Sequence, residues 1–190
     1  MLHRTLIRAV NHLNTSQVIV CCIKLGRNYT MAKKQRKAPP KWSLHPAKHP
    51  EVSRLLEDDD LDFTFHSADD DHGYIESADS SVMGRFRCHN PNCESKGWSS
   101  KKIAITVRMY SNREYNARVY HQRCQHCSGL GRPILDDTYA ERVTYRLKKW
   151  SGVYVEAPPY SNDHTKPHHR DLCEGCKAGR CKRDIETDDV

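Results

Sequence analysis

The sequence has no long apolar run. The longest, Val18-Ile19-Val20-Cys21-Cys22-Ile23, is far short of the ~20 residues that a membrane-spanning helix needs. Large apolar side chains are also few: three Phe and three Trp in 190 residues, with only 37% hydrophobic residues against 29% charged. A chain with so little apolar material needs a staple, either disulfides or metal, to hold a small fold. Residues 1–50 hold ten Lys/Arg and no acidic residue, and residues 51–80 hold eleven acidic residues against Arg54 alone. Residues 81–183 return to twenty basic against nine acidic. Enzyme signatures are missing too: there is no His-Glu-x-x-His, no deaminase-type His-x-Glu with Pro-Cys-x-x-Cys, and no nucleophile elbow. No catalytic residue and no small-molecule substrate site is expected.

Nine cysteines are present. Cys88-His89-Asn90-Pro91-Asn92-Cys93 separates two sulfurs by four residues, and Cys124-Gln125-His126-Cys127 by two. Cys173-Glu174-Gly175-Cys176 is followed by Cys181. Gaps of two to four let one tight turn present two sulfurs to one ion, and zinc takes four thiolate or imidazole ligands in a tetrahedron. Short pairs without a secretory signal point to metal rather than to a disulfide framework. Seven cysteines fall one short of two tetrahedral sites, and His168 and His169 lie just before Cys173. The preferred pairing is Cys88, Cys93, Cys124 and Cys127 at one zinc ion, with His168, Cys173, Cys176 and Cys181 at a second. His89, His121, His126 and His164 read as surface or supporting groups, and Cys21 and Cys22 as free thiols.

Around these pairs the chain alternates. Ile103, Ile105, Val107 and Met109 interleave with Lys102, Ala104, Thr106 and Arg108, the period-two pattern of a strand with one buried face. Ser111-Asn112-Arg113 reads as a turn, and Tyr115, Ala117, Val119 and His121 alternate again, giving a β-hairpin with one cysteine pair on each side. Asp136 or Asp137 can cap a helix ending at Trp150, with Tyr139, Val143, Leu147 and Trp150 as its stripe. Trp98 and Trp150 read as structural. The expected class is α+β: a small zinc-stabilised β-hairpin or sheet module with one helix, and largely disordered N-terminal segments.

The expected domains are a basic, disordered extension (1–50), an acidic linker (51–82), the zinc-binding domain (83–183) and an acidic tail (184–190). Pro50–Leu56 within the linker reads as a short helix, and Leu61, Phe63 and Phe65 as a docking strand. In residues 1–30, Leu2, Leu6, Ile7, Val10 and Leu13 with Arg4 and Arg8 fit an amphipathic leader or a plain extension. Met31 would also read as an N-terminus. Lys33, Lys34, Arg36, Lys37 and Lys41 fit a nuclear address, a nucleic-acid arm or a solvated tail. The expected location is cytoplasmic or nuclear, with a mitochondrial leader in 1–30 as the alternative.

Gly84-Arg85-Phe86-Arg87-Cys88, Gly97-Trp98-Ser99-Ser100, Gln122-Arg123-Cys124-Gln125-His126-Cys127 and Cys173-Glu174-Gly175-Cys176-Lys177-Ala178-Gly179-Arg180-Cys181 together resemble the 3CxxC-type zinc finger. That finger occurs in receptor-transporting proteins, zygote arrest proteins and many fungal proteins, and the fungal and zygote-arrest versions match best near Lys166–Cys173. The resemblance implies a histidine five residues before the cysteine, hence His168 rather than His169. It departs in the first pair, where the finger commonly has two intervening residues, and the chain shows no C-terminal membrane span. It implies a binding module. RNA, or another nucleic acid, is the first expected partner: Arg85, Arg87, Arg108, Arg118 and Arg123 lie near Tyr110, Tyr115 and Tyr120, suiting phosphate contact and base stacking. A protein-interaction or chaperone-like adaptor for membrane receptors is the alternative.

Overall fold

A computed structural model describes residues 39–159 and 168–181. The expectations for residues 1–30, Lys33–Lys37, Cys21, Cys22, His164 and the acidic tail lie outside the described residues. The fold is α+β, built on one six-stranded sheet. In chain order its elements are β1 (Trp42–Ser43), α1 (His49–Leu56), β2 (Thr64–Phe65), β3 (Tyr74–Cys88), β4 (Gly97–Tyr110), β5 (Glu114–Tyr120), β6 (Gly131–Leu135), α2 (Thr138–Trp150) and α3 (Glu174–Lys177). The strands lie in the order β1-β5-β4-β3-β6, all antiparallel, and β2 adds a short parallel pairing along β5. No helix among the described residues is long and apolar enough to cross a membrane.

The central hairpin follows from its side chains. Val107 faces Ala117 and Ile105 faces Val119 across β4 and β5, so β-branched and small residues fill one buried face. The connecting turn places Asn112 and Arg113 at positive φ, 62° and 56°. Asn adopts that region more readily than most residues, Arg does not. On β3, a register shift between Val82 and Gly84 marks a bulge that bends the strand towards β6. Gly84 sits there at φ +155°, where an added Cβ would meet the Ile134 carbonyl at 2.5 Å.

One face of the sheet carries the core. Val52 and Leu56 of α1 and Tyr139, Val143 and Leu147 of α2 pack on Val82, Ile103, Ile105, Val107, Tyr115, Ala117 and Val119. Asp136 caps α2, accepting hydrogen bonds from the Thr138 backbone N–H (3.1 Å) and hydroxyl (2.5 Å). Lys148 of α2 pairs with Asp59 at 2.5 Å.

The folded unit begins well before Met83. Residues 51–82, read from sequence as an acidic linker, include most of the short helix and supply Val52, Leu56 and Phe63 to the core. They also form the first nine residues of β3. Leu56→Ala should therefore cost ~2–5 kcal/mol, the range for truncating a buried leucine. Chemical denaturation checks this, and an unchanged midpoint would make α1 a dispensable appendage.

The other face of the sheet is polar yet covered. Arg108 is only 2% exposed. Its guanidinium donates to Asn116 Oδ1 (2.9 Å) and Asp69 Oδ1 (3.0 Å). Arg118 donates to Asp69 and Asp71 and lies 4.9 Å from the Trp42 ring centroid. Asn116 donates to the carbonyls of His66 and Ala68. Residues 66–71 thus form a strap across one end of this face, and α3 covers Ala104 at the other end.

Candidate metal centre

Cys88 is the last residue of β3, opposite Gly131 of β6. After it, Asn90 builds a tight turn: its side-chain oxygen accepts from the Asn92 N–H (3.0 Å) and its carbonyl from the Cys93 N–H (3.1 Å). This local closure brings Cys93 back towards Cys88 despite four intervening residues. The second pair sits in a narrow loop closed by pairing of Arg123 with Leu130. There the Cys124 N–H donates to Gly129 (2.9 Å) and the Ser128 N–H to Cys124 (2.8 Å), with Ser128 at φ 56°.

The structure brings Cys88, Cys93, Cys124 and Cys127 together, with donor atoms all within 4.8 Å of one another. Cys88 and Cys127 Sγ lie 3.6 Å apart, and Cys93 and Cys124 Sγ 3.7 Å. A disulfide would need ~2.05 Å. Tetrahedral zinc with Zn–S bonds of ~2.3 Å sets its sulfurs ~3.8 Å apart. The spacing and the all-sulfur donor set fit zinc.

The second group comprises His168, Cys173, Cys176 and Cys181, again within 4.8 Å of one another. Cys181 Sγ and His168 Nε2 are 3.7 Å apart, near the ~3.6 Å expected when a thiolate and an imidazole share one tetrahedral zinc. The turn after α3 is closed by Arg180 N–H on the Gly175 carbonyl (2.9 Å), with Gly179 at φ +70°. His169 is exposed and stands outside the group, as do exposed His89 and His126. His121 is buried and shares a hydrogen bond with Ser43 Oγ (2.9 Å). Burial, then the neighbouring His45, His89 and Arg132, lowers its pKa to about 4. It supports the site as a neutral imidazole and is not a ligand.

Proton affinities within each group diverge. For Cys124, burial works against the thiolate, but the backbone N–H groups of Cys127 and His126 and the Cys93 thiol outweigh it and bring the pKa to about 6. Cys93 rises to about 12: the Ser95 backbone opposes the rise, and burial and the Cys127 and Cys124 thiols exceed it. In the second group a hydrogen bond from Cys181, opposed by burial and helped by His168, lowers Cys173 to about 4, and Cys181 is raised by its contact with Cys173. Zinc takes cysteine as thiolate, so its binding releases the ligands' protons and weakens as pH falls.

The two groups are joined. The Arg123 N–H donates to the Leu172 carbonyl (2.7 Å) and the Glu174 N–H to the His121 carbonyl (3.0 Å), around a bridge between Gln122 and Cys173. Glu174 is buried at 2% exposure and takes hydrogen bonds from Arg123 Nε (2.6 Å) and Lys177 Nζ (3.1 Å). A Cβ on Gly175 would lie 2.5 Å from Ala104 Cβ, so α3 sits flush on the sheet. Trp98 closes the other side. Its ring stacks on Phe86 (centroids 5.3 Å, planes at 20°), leaves no room for a Cβ on Gly131, and donates from Nε1 to Gln122 Oε1 (3.2 Å). The sequence reading missed the Arg123–Glu174 contact. A signal was present: opposite charges flank a cysteine in each of two knuckles.

Three arginines expected to meet phosphates are already engaged. Arg108 and Arg118 pair with Asp69 and Asp71, and Arg123 with Glu174. Tyr110, Tyr115 and Tyr120 are buried at 5%, 0% and 4% exposure and offer no stacking platform. Arg85 and Arg87 are exposed on β3. Their partners on β6 are Ile134 and Arg132, so the four side chains share one face, opposite that of Phe86 and Leu135. The side chains of Arg85, Arg87 and Arg132 make no hydrogen bond or ion pair among the described residues.

Compared with known proteins, residues 81–179 match the sequence model of a family described as a zinc-binding domain, the 3CxxC zinc ribbon. No curated protein and no solved structure matches the chain.

Proposed function

The chain belongs to the 3CxxC zinc-ribbon family of zinc-binding domains, and from that premise we propose that it is a non-catalytic module that binds single-stranded nucleic acid, RNA in particular. The observation that carries this is the exposed basic face of β3 and β6, where the side chains of Arg85, Arg87 and Arg132 stand beside Cys88 without a hydrogen-bond or ion-pair partner among the described residues. The absence of catalysis rests on the ligand sets. Each supplies four donors, which leaves no open position on a tetrahedral ion for water or substrate.

A sheet face with arginines and no exposed aromatic ring contacts phosphates more than bases. Binding should be strongly salt-dependent and weakly sequence-selective. Replacing Arg85, Arg87 or Arg132 with Ala should weaken binding of a single-stranded RNA evenly across sequences and lower the salt slope by about 0.7 per residue. Fluorescence anisotropy across a salt series reads both quantities. Equal affinity in the triple variant, with both zinc ions retained, would reject this face as the RNA site. Exposed Ile134 (46%) in the middle of the face favours a protein surface as the second reading. Loss of a captured protein partner in the triple variant, with no RNA bound by the parent, would decide for it.

A further inference from the structure

We infer that the two metal groups load and release their ions cooperatively, and that Arg123 and Glu174 are the positioning residues that couple them. The inference rests on the zinc-binding assignment and is independent of the nucleic-acid reading.

Arg123 directly precedes Cys124, and Glu174 directly follows Cys173. The Arg123 side chain spans the two turns: Nε donates to Glu174 Oε1 (2.6 Å) and Nη1 to the Ser128 carbonyl (3.0 Å). Ser128 closes the turn that presents Cys124 and Cys127, because its N–H donates to the Cys124 carbonyl. One guanidinium therefore fixes the knuckle of the first group and the helix start of the second. The backbone does the same: Arg123 N–H to Leu172, and Glu174 N–H to His121. The Glu174 carboxylate is 1% exposed and the Arg123 side chain 30% exposed. Lys177 and Lys41 also pair with Glu174, but of these cations Arg123 alone also holds the turn of the first group, so its removal cuts the link and leaves the buried carboxylate less compensated. Neither turn can loosen without disturbing the other.

The thermodynamic consequence is reciprocal. If an ion at one group orders the turn that the other group needs, each ion raises the affinity for the second by the same factor. Ordering before metal arrives is unfavourable for a short polar segment, and the first ion meets that cost for both.

Native mass spectrometry of the full zinc-loaded chain, titrated with a chelator, reads this directly. Two independent sites, equal or not, leave roughly half or more of the chains with a single ion when half the zinc is gone. Matched sites coupled 5–150-fold leave roughly 30% down to roughly 8%. The expected result is a one-ion species well below half in the parent and near or above half in Arg123→Met. A general loss of stability would lower zinc affinity without changing that proportion. Should Arg123→Met not load zinc, Glu174→Gln, which keeps the shape of the side chain and removes its charge, takes its place. A parent in which the one-ion species reaches half overturns the cooperativity. A one-ion fraction that stays low in the zinc-loaded variant overturns the assignment to Arg123 and Glu174.

Discussion

Cys124→Ser should unfold most of the module at neutral pH. Structural zinc sites contribute on the order of ~10 kcal/mol to folding, and an entire domain is stable by only about 5–15 kcal/mol. Cys124 is buried, and its group joins the end of β3 to the loop between β5 and β6, segments about thirty residues apart in sequence. Without the ion, Cys88 and Cys93 are held near Cys124 and Cys127 by the five-residue pairing of β6 against β3 and by the Trp98–Gln122 contact. Serine supplies no thiolate, and its hydroxyl remains buried beside three cysteines. Hydrogen exchange should show loss of protection first in β6 and the end of β3, then across β4 and β5. Protection equal to the parent's across these strands would mean that the apolar core alone holds the fold. Cys176→Ser should be felt beyond its own segment, because residues 172–174 are hydrogen-bonded to residues 121–123. Its loss of protection should reach the second knuckle while sparing the packing of α1 and α2 on the sheet.

Asp69→Asn should be the most damaging single change away from the metal groups. Asp69 accepts from Arg118, Arg108 and the Trp42 indole N–H, the last at 2.7 Å. Removing its charge leaves two buried guanidinium groups with only Asp71, itself 71% exposed, as a carboxylate partner. Breaking a buried pair costs ~3–5 kcal/mol, and the 33% exposure of the Asp69 side chain places this change towards the lower end. The pH dependence follows. Burial alone would raise the Asp69 pKa, but hydrogen bonds from Arg118, Trp42 and Arg108 outweigh it and hold the carboxyl below its usual value. A carboxylate whose folded pKa is depressed contributes stability above its unfolded pKa, ~3.9, and that contribution is lost as pH falls through the folded value. Zinc release in acid acts in the same direction, so the comparison is between parent and variant while both hold their ions. The stability difference should shrink as the pH is lowered. A pH-independent difference would assign the effect to shape rather than charge.

The hairpin and α2 were legible because their signals are local. Alternation specified β4 and β5, and the stripe from Tyr139 to Trp150, with Asp136 or Asp137 as its cap, specified the helix. The metal pairs were legible for the same reason, since a short gap between cysteines is both the motif and the geometry. What escaped depends on partners distant in sequence. Asp69 and Asp71 belong to a run whose mutual repulsion suggested an extended linker, but two strand arginines some forty residues away neutralise them. Ala104, Thr106 and Arg108 looked like the wet side of a strand, and the strap and α3 cover them. The first half of β3 carries Glu76, Ser77, Asp79, Ser80 and Ser81, which have no apolar rhythm. It is a strand because β4 is long enough to pair with it. β6 has five residues, one of them Pro133, and is too short for a periodic signal.

The central claim is that this chain is built on two four-ligand zinc sites, Cys88, Cys93, Cys124 and Cys127 at one and His168, Cys173, Cys176 and Cys181 at the other. Elemental analysis of the purified, tag-free protein, set against an accurate protein concentration, tests it most directly. The account predicts two zinc ions per chain, falling to one or none in Cys124→Ser. A single tightly bound ion in the parent, or iron with the absorption of an iron–sulfur cluster, would contradict it.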